Sequence, residues 1–230
     1  MQKPKNTLLQ LLQLASPTLP VGAYSYSEGI ETLVEQEIIS NSQTLQHWLE
    51  HELQWGSSRI DGVMVVRAYH AIQQQNYSQF KYWNQWWSAA RETTELRHQS
   101  WQMGRSLSRL LLQLDPTTAV WLEDASSLAQ SPWNWAIAFG GAAGHWQIDL
   151  EATLLAYYQS WASNLIGAGV KLIPLGQTVG QQILFNLASQ IKATVAEVME
   201  LKDTNLNSCS WGLALASSQH ASQRVRLFQS

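Results

Sequence analysis

Apolar residues recur at helical spacing along almost the whole chain. Ile30, Leu33, Val34 and Ile38 fall at i, i+3, i+4 and i+8, and Leu45, Trp48, Leu49 and Leu53 repeat the pattern one segment later. Tyr77, Phe80, Trp83 and Trp87 make a third stripe. Leu96, Met103, Leu107, Leu110, Leu111 and Leu114 share one face, and Leu150, Leu154, Tyr158, Trp161 and Leu165 share another. Val179, Ile183, Leu187, Ile191, Val195 and Met199 then predict one long helix. The run Val63–Val66 is rich in β-branched residues, yet it lies between helical stretches without turn residues or a partner strand. It reads as buried helix.

The punctuation agrees with these stripes. Asp115-Pro116 and Ser131-Pro132 each place a capping side chain before a proline suited to the first helical position. Asn41/Ser42, Asn76 and Asp149 supply three further caps. Pro174, after Gly167 and Gly169, marks a break before the last long helix, and Asp203–Ser208 is a polar loop. The fold class predicted is all-α, a single-domain bundle of roughly eight to ten helices over residues 1–230. Beyond the polar loop the pattern weakens. The mixture of basic and apolar residues in Arg224, Arg226, Leu227 and Phe228 is not what a bundle needs at its edge, so 217–230 reads as a separate tail.

Composition narrows the function. A formal charge of −3, from 14 basic and 17 acidic residues without a dominant cationic cluster, argues against nucleic-acid binding. The single cysteine, Cys209, excludes an internal disulfide framework, and Met1–Thr7 lacks the plan of a secretory signal, so a reducing, cytoplasmic setting is expected. The most apolar stretch, Trp133–Trp146, is too short to cross a bilayer. Charged residues make up only 13% and tryptophans number twelve, which predicts apolar surface covered by another protein.

Candidate catalytic chemistry is sparse. His47-Trp48-Leu49-Glu50-His51 matches H-x-x-E-H, a spacing that can offer two imidazoles to zinc beside a glutamate base. At about 100° per residue, however, His47 and His51 lie opposite the Leu45/Trp48/Leu49/Leu53 stripe, on a solvated face, and no third-ligand motif follows. A metal-dependent hydrolase is therefore the alternative reading and not the leading one. Phosphate-loop, dinucleotide and nucleophile-elbow motifs are absent. Gly167-Ala168-Gly169-Val170-Lys171 lacks both the preceding strand and the hydroxyl that a phosphate loop uses to hold magnesium. Ser25-Tyr26-Ser27-Glu28 has the form of a capping box ahead of the Ile30 stripe. Before it, Ser16-Pro17-Thr18-Leu19-Pro20-Val21-Gly22-Ala23-Tyr24 is a stiff loop presenting an aromatic beside a helix start, a common way to display a binding group.

Four blocks carry a family resemblance. Leu11–Pro17 continuing through Leu19–Glu31 is similar to the opening signature of the UreF family of urease accessory proteins. Arg91–Arg97 with Met103–Leu107 resembles the family's middle helix, and Gly169–Gln177 with Gly180-Gln181 resembles its late helix start. Gln219-His220 and Arg226–Ser230 are similar to its closing motif, from which this chain departs at Ala221, Arg224 and Val225.

The resemblance implies a non-enzymatic, all-helical scaffold, dimeric in its working complex. Its implied partners are UreD (also called UreH), the GTPase UreG and apo-urease, with nickel as the pathway's metal and no tightly bound cofactor. It implies further that the tail orders on UreD/UreH and that its arginine meets the tyrosine of the opening loop, roles falling on Arg226 and Tyr24. Lys171, in the matching G-V-K-L, falls at a position tied to control of UreG; a helix-capping lysine is the competing reading. The expected partner-binding set is Tyr24, Ser25, Glu28, Lys171, His220, Arg226, Leu227 and Phe228. A third reading is a GTPase-activating role with Arg226 or another arginine as a finger on UreG.

Overall fold

Two helices occupy the centre of the molecule. In this computed structural model, which describes residues 6–122, 132–220 and 226–229, they are α4 (Ser57–Gln73) and α8 (Trp135–His145). Every residue of α8 from Ala136 to Gly144 is buried, as is every residue of α4 from Ser57 to Val66. A helix apolar on all sides, as α8 is, belongs in a core, and α4 adds buried polar residues such as Arg59 and Asp61. Val63–Val66 is thus helix, in agreement with the reading of its β-branched run. Small residues let the two backbones touch. A Cβ on Gly140 would run into the carbonyl oxygen of Val65, and one on Gly144 would stand 2.7 Å from that of Tyr69.

The remaining helices wrap this pair. In chain order they are α1 (Thr7–Leu14), α2 (Ile30–Glu35), α3 (Ser42–Trp55), α5 (Tyr77–Ala90), α6 (Thr94–Leu114), α7 (Ala119–Leu122), α9 (Leu150–Leu172), α10 (Gln177–Asn186), α11 (Ala188–Glu200) and α12 (Trp211–His220). No strand occurs among the described residues. α5, α9 and α11 pack on α4, α6 packs on α8, and α2 and α12 pack on each other at one end. Tryptophan fills much of the space between layers. Trp87 and Trp121 are fully buried, and Phe80 sits edge-on to Trp121 at 5.4 Å between ring centroids. The segment entering α8 is fixed by paired amides: Asn134 donates its N–H to Asn84 Oδ1 at 2.8 Å and its side-chain NH2 to Ser88 Oγ at 2.8 Å.

The expected caps form at Asn41, Asn76 and Asp149. Asn41 makes a reciprocal box with Thr44, while Asn76 and Asp149 accept from Gln79 N–H and Ala152 N–H. Asp115 caps the 3-10 turn Pro116–Thr118.

Three expectations are corrected. Twelve α-helices are present among the described residues, against the eight to ten predicted. One extra comes from the long helix read over Val179–Met199, which divides at Leu187 into α10 and α11. Leu187 keeps helical dihedrals there, donating to Ile183 O at 3.0 Å and accepting from Ile191 N–H at 2.9 Å, so the stripe passes through the division unbroken and periodicity cannot see it. Lastly, α8 starts at Trp135 behind Asn134, without a side-chain cap, and Ser131 lies outside the described residues.

Candidate docking site at the opening loop

The opening loop leaves α1 through the two prolines and closes in a 3-10 turn, Ala23–Ser25. Tyr24 stands on this turn with 68% of its surface exposed. Gly29 begins α2 with φ +79°, a left-handed conformation suited to a residue without a Cβ, and a Cβ there would also lie 2.9 Å from that of Ala216 on α12.

The capping box read at Ser25–Glu28 does not form. The residue before α2 is Gly29, which has no side-chain cap, and Ser25 belongs to the 3-10 turn. Glu28 itself adopts φ +48° and turns inward, where it accepts from Gln99 Nε2 at 3.0 Å and Trp161 Nε1 at 3.1 Å. Two residues of the motif are thus diverted: Ser25 offers its carbonyl to the tail, and Glu28 lines a cavity.

That cavity, about 250 Å³, lies behind the loop between α6 and α9, with Glu28, Asp61, Arg91 and Tyr157 among its lining residues and Tyr24 and Lys171 on the loop and α9 sides. Asp61 accepts from Trp87 Nε1 at 2.7 Å and pairs with Arg91 at 3.2 Å, and the Arg91 guanidinium lies 4.8 Å from the Trp87 ring centroid. Burial raises the Glu28 carboxyl above its usual range, against the pull of the Arg91 charge and the Trp161 N–H. Asp61 is raised for the same reason, with Arg91 and Trp87 opposing. On α3, Glu52 is pushed up to about 8, by burial first and by the charges of Glu28 and Glu92 second.

Glu31, in the first turn of α2, organises the outer side. Its Oε1 accepts from Leu227 N–H at 2.6 Å, and its Oε2 accepts from Phe228 N–H at 3.1 Å and meets His220 Nε2 at 2.8 Å. Gln229 N–H donates to Ser25 O at 2.8 Å. Phe228 is buried with its ring 5.5 Å from Lys171 Nζ, whereas Leu227 is 63% exposed and Arg226 is exposed. Ser25, Lys171, His220, Leu227 and Phe228 therefore meet in one place, with Glu28 just beneath. Among the described residues no hydrogen bond or ion pair joins Tyr24 to Arg226; the tail reaches the loop through Ser25 and Glu31. Residues 217–220 of the expected tail form the end of α12, while Ala221, Arg224 and Val225 lie outside the described residues.

The histidines of the zinc-like motif lie elsewhere. His47 and His51 are exposed on α3, and Glu50 accepts from Gln46 Nε2 at 2.8 Å. Lining cavities and holding tails are jobs done here by Glu31, Asp61, Arg91, Gln99 and Trp161. Sequence reading did not single these out as site residues, although Glu31, Arg91 and Trp161 lay inside blocks or stripes it quoted. For Asp61 the available signal was a carboxylate in a helix otherwise read as buried.

The sequence model of UreF matches residues 39–188, more than half of the chain. A urease accessory protein UreF of Nostoc sp. strain PCC 7120 is 55% identical over 222 residues, covering 96% of this chain and 95% of that one. The chain belongs to the UreF family. The UreF proteins of Microcystis aeruginosa, 52% identical over 223 residues and 97% of each chain, and of Alkalilimnicola ehrlichii, 38% identical over 222 residues, 96% of this chain and 95% of that one, are also similar along nearly their whole length. Family membership places this chain among urease accessory proteins. The family model stops short of the opening loop and the tail, both of which lie outside residues 39–188.

Proposed function

We propose that this UreF-family chain is a scaffold without catalysis of its own, which docks UreD/UreH and recruits or regulates UreG while nickel passes as cargo into apo-urease. The observation that carries the reading is the return of residues 226–229 onto the opening loop, which builds one surface from Tyr24, Lys171, Arg226 and Leu227 out of parts distant in sequence. Large exposed apolar side chains, Phe185 and Trp211 each at 77%, support a chain whose surface is covered by proteins, including a second copy in the working complex. A cytoplasmic location is part of the proposal. The alternative, hydrolysis at His47, Glu50 and His51, is disfavoured because the two imidazoles face solvent rather than a cleft.

The test is a chain ending at Val225. Co-purification with UreD/UreH and UreG, followed by urease activation in a urease-expressing host, is expected to fail for the shortened chain while its helical content stays intact. Full assembly and full urease activity would refute the proposal. In the same complexes, Arg226→Ala tests the arginine finger, and unchanged UreG hydrolysis would remove it.

A further inference from the structure

We infer that Glu31 is a latch: a positioning residue whose single carboxylate holds the tail against the opening loop and so presents Arg226 and Leu227 to a partner. The inference rests on the docking role proposed above for that surface. Three donors converge on two oxygens, from Leu227 N–H, Phe228 N–H and His220 Nε2, and the glutamate is itself 8% exposed. Hydrogen bonds to an ionised acceptor are roughly twice as strong as neutral ones, and burial shields them from competing water.

The latch acts selectively on the tail. α12 is tied to the body independently of Glu31, through Gln36 Nε2 to Gln219 Oε1 at 2.7 Å, Thr93 to Ser217 hydroxyls at 3.1 Å, and the close seat of Ala216 on Gly29. Residues 226–229 have less: the two N–H bonds to Glu31, the Gln229 bond to Ser25 and the Phe228 ring beside Lys171. Severing the carboxylate therefore frees the tail and leaves the helix docked. Arg226 and Leu227 are exposed while the backbone next to them is anchored, so the latch sets where they are presented.

The experiment compares the full-length chain with Glu31→Gln, which keeps the shape but replaces one acceptor oxygen by a donor. Hydrogen exchange read by NMR at the Leu227, Phe228 and Gln229 amides is expected to speed up by about 10- to 100-fold, with the Ala216 and Ser217 amides and those of α4 unchanged. Capture of purified UreD/UreH is expected to weaken by about tenfold. Unchanged protection at Leu227 and Phe228 overturns the latch. Should Glu31→Gln disturb the whole fold, Leu227→Pro deletes one donor while leaving Glu31 and His220 in place; retained protection at Phe228 and Gln229 then overturns it. A loosened tail with wild-type capture of UreD/UreH supports the latch and overturns the docking role of the surface, so the two claims separate.

Discussion

Replacing Glu52 by glutamine should stabilise this protein, and by an amount that grows with pH. Glu52 sits at 4% exposure on the core stripe of α3, folded over Gly56, with Ser210 Oγ at 3.4 Å. Burial pushes its carboxyl up to about 8 in the fold, from 4.5 for a free glutamate side chain. A raised carboxylate binds its proton more tightly in the folded than in the unfolded chain. Stability is therefore fullest below about pH 4.5 and falls as pH climbs toward 8. Each pH unit across that window costs about 1.4 kcal/mol, which gives roughly 3 kcal/mol at pH 7 and a ceiling of roughly 5 kcal/mol above pH 8. Glutamine cannot ionise and resembles the protonated acid. Urea unfolding of both proteins at intervals from pH 5 to pH 9 reads this group together with its coupling to Glu28, because the raised carboxyls of Glu28 and Asp61 are present in both chains. The variant is expected to exceed wild type by less than about 1 kcal/mol at pH 5 and increasingly toward pH 8. A stability difference that does not vary with pH, or a variant weaker than wild type at pH 8, would refute the reasoning.

Asp61→Asn leaves the Arg91 guanidinium buried without its anionic partner, and a loss of about 3–5 kcal/mol in chemical denaturation at pH 7 is expected. Gly140→Ala drives a methyl into the Val65 carbonyl and should cost about 1–3 kcal/mol by the same assay. Gly167→Ala, where a Cβ meets nothing within 4 Å in the middle of α9, should instead stabilise by about 0.5–1 kcal/mol. The double variant His47→Ala/His51→Ala is expected to change stability by less than about 0.5 kcal/mol and to leave urease maturation intact, both residues being exposed; loss of maturation would revive a metal role for that face.

The helical character of the chain was legible because much of the burial here follows simple periodicity, although Ile38, Leu114, Val179 and Met199 of the predicted stripes are exposed. Leu45, Leu49 and Leu53, or Phe80, Trp83 and Trp87, are buried where their spacing puts them. Caps at Asn41, Asn76 and Asp149 were legible for the same local reason. Periodicity fails where a break conserves the stripe, as at Leu187, and where a short motif is overridden by distant partners. Ser25–Glu28 had the residues of a capping box, but Glu28 is drawn inward by Gln99 and Trp161, residues 71 and 133 positions away. The opening loop and the tail stood out from their own residues, but the individual contact residues were legible through family resemblance. That route named His220, Leu227 and Phe228 yet passed over Glu31, since a glutamate in the first turn of a helix is ordinarily explained by the helix dipole alone. Its actual partners lie 189 to 197 positions downstream.

That separation has a temporal side. A chain made from its N-terminus carries Glu31 long before Leu227 exists, and bonds across so many residues close late because so much chain must first be ordered. The helices around α4 and α8 can settle while the carboxylate still faces water. During biosynthesis the protein therefore passes through a stage in which its central helices are packed while the bonds from Leu227 and Phe228 to Glu31 are still unmade.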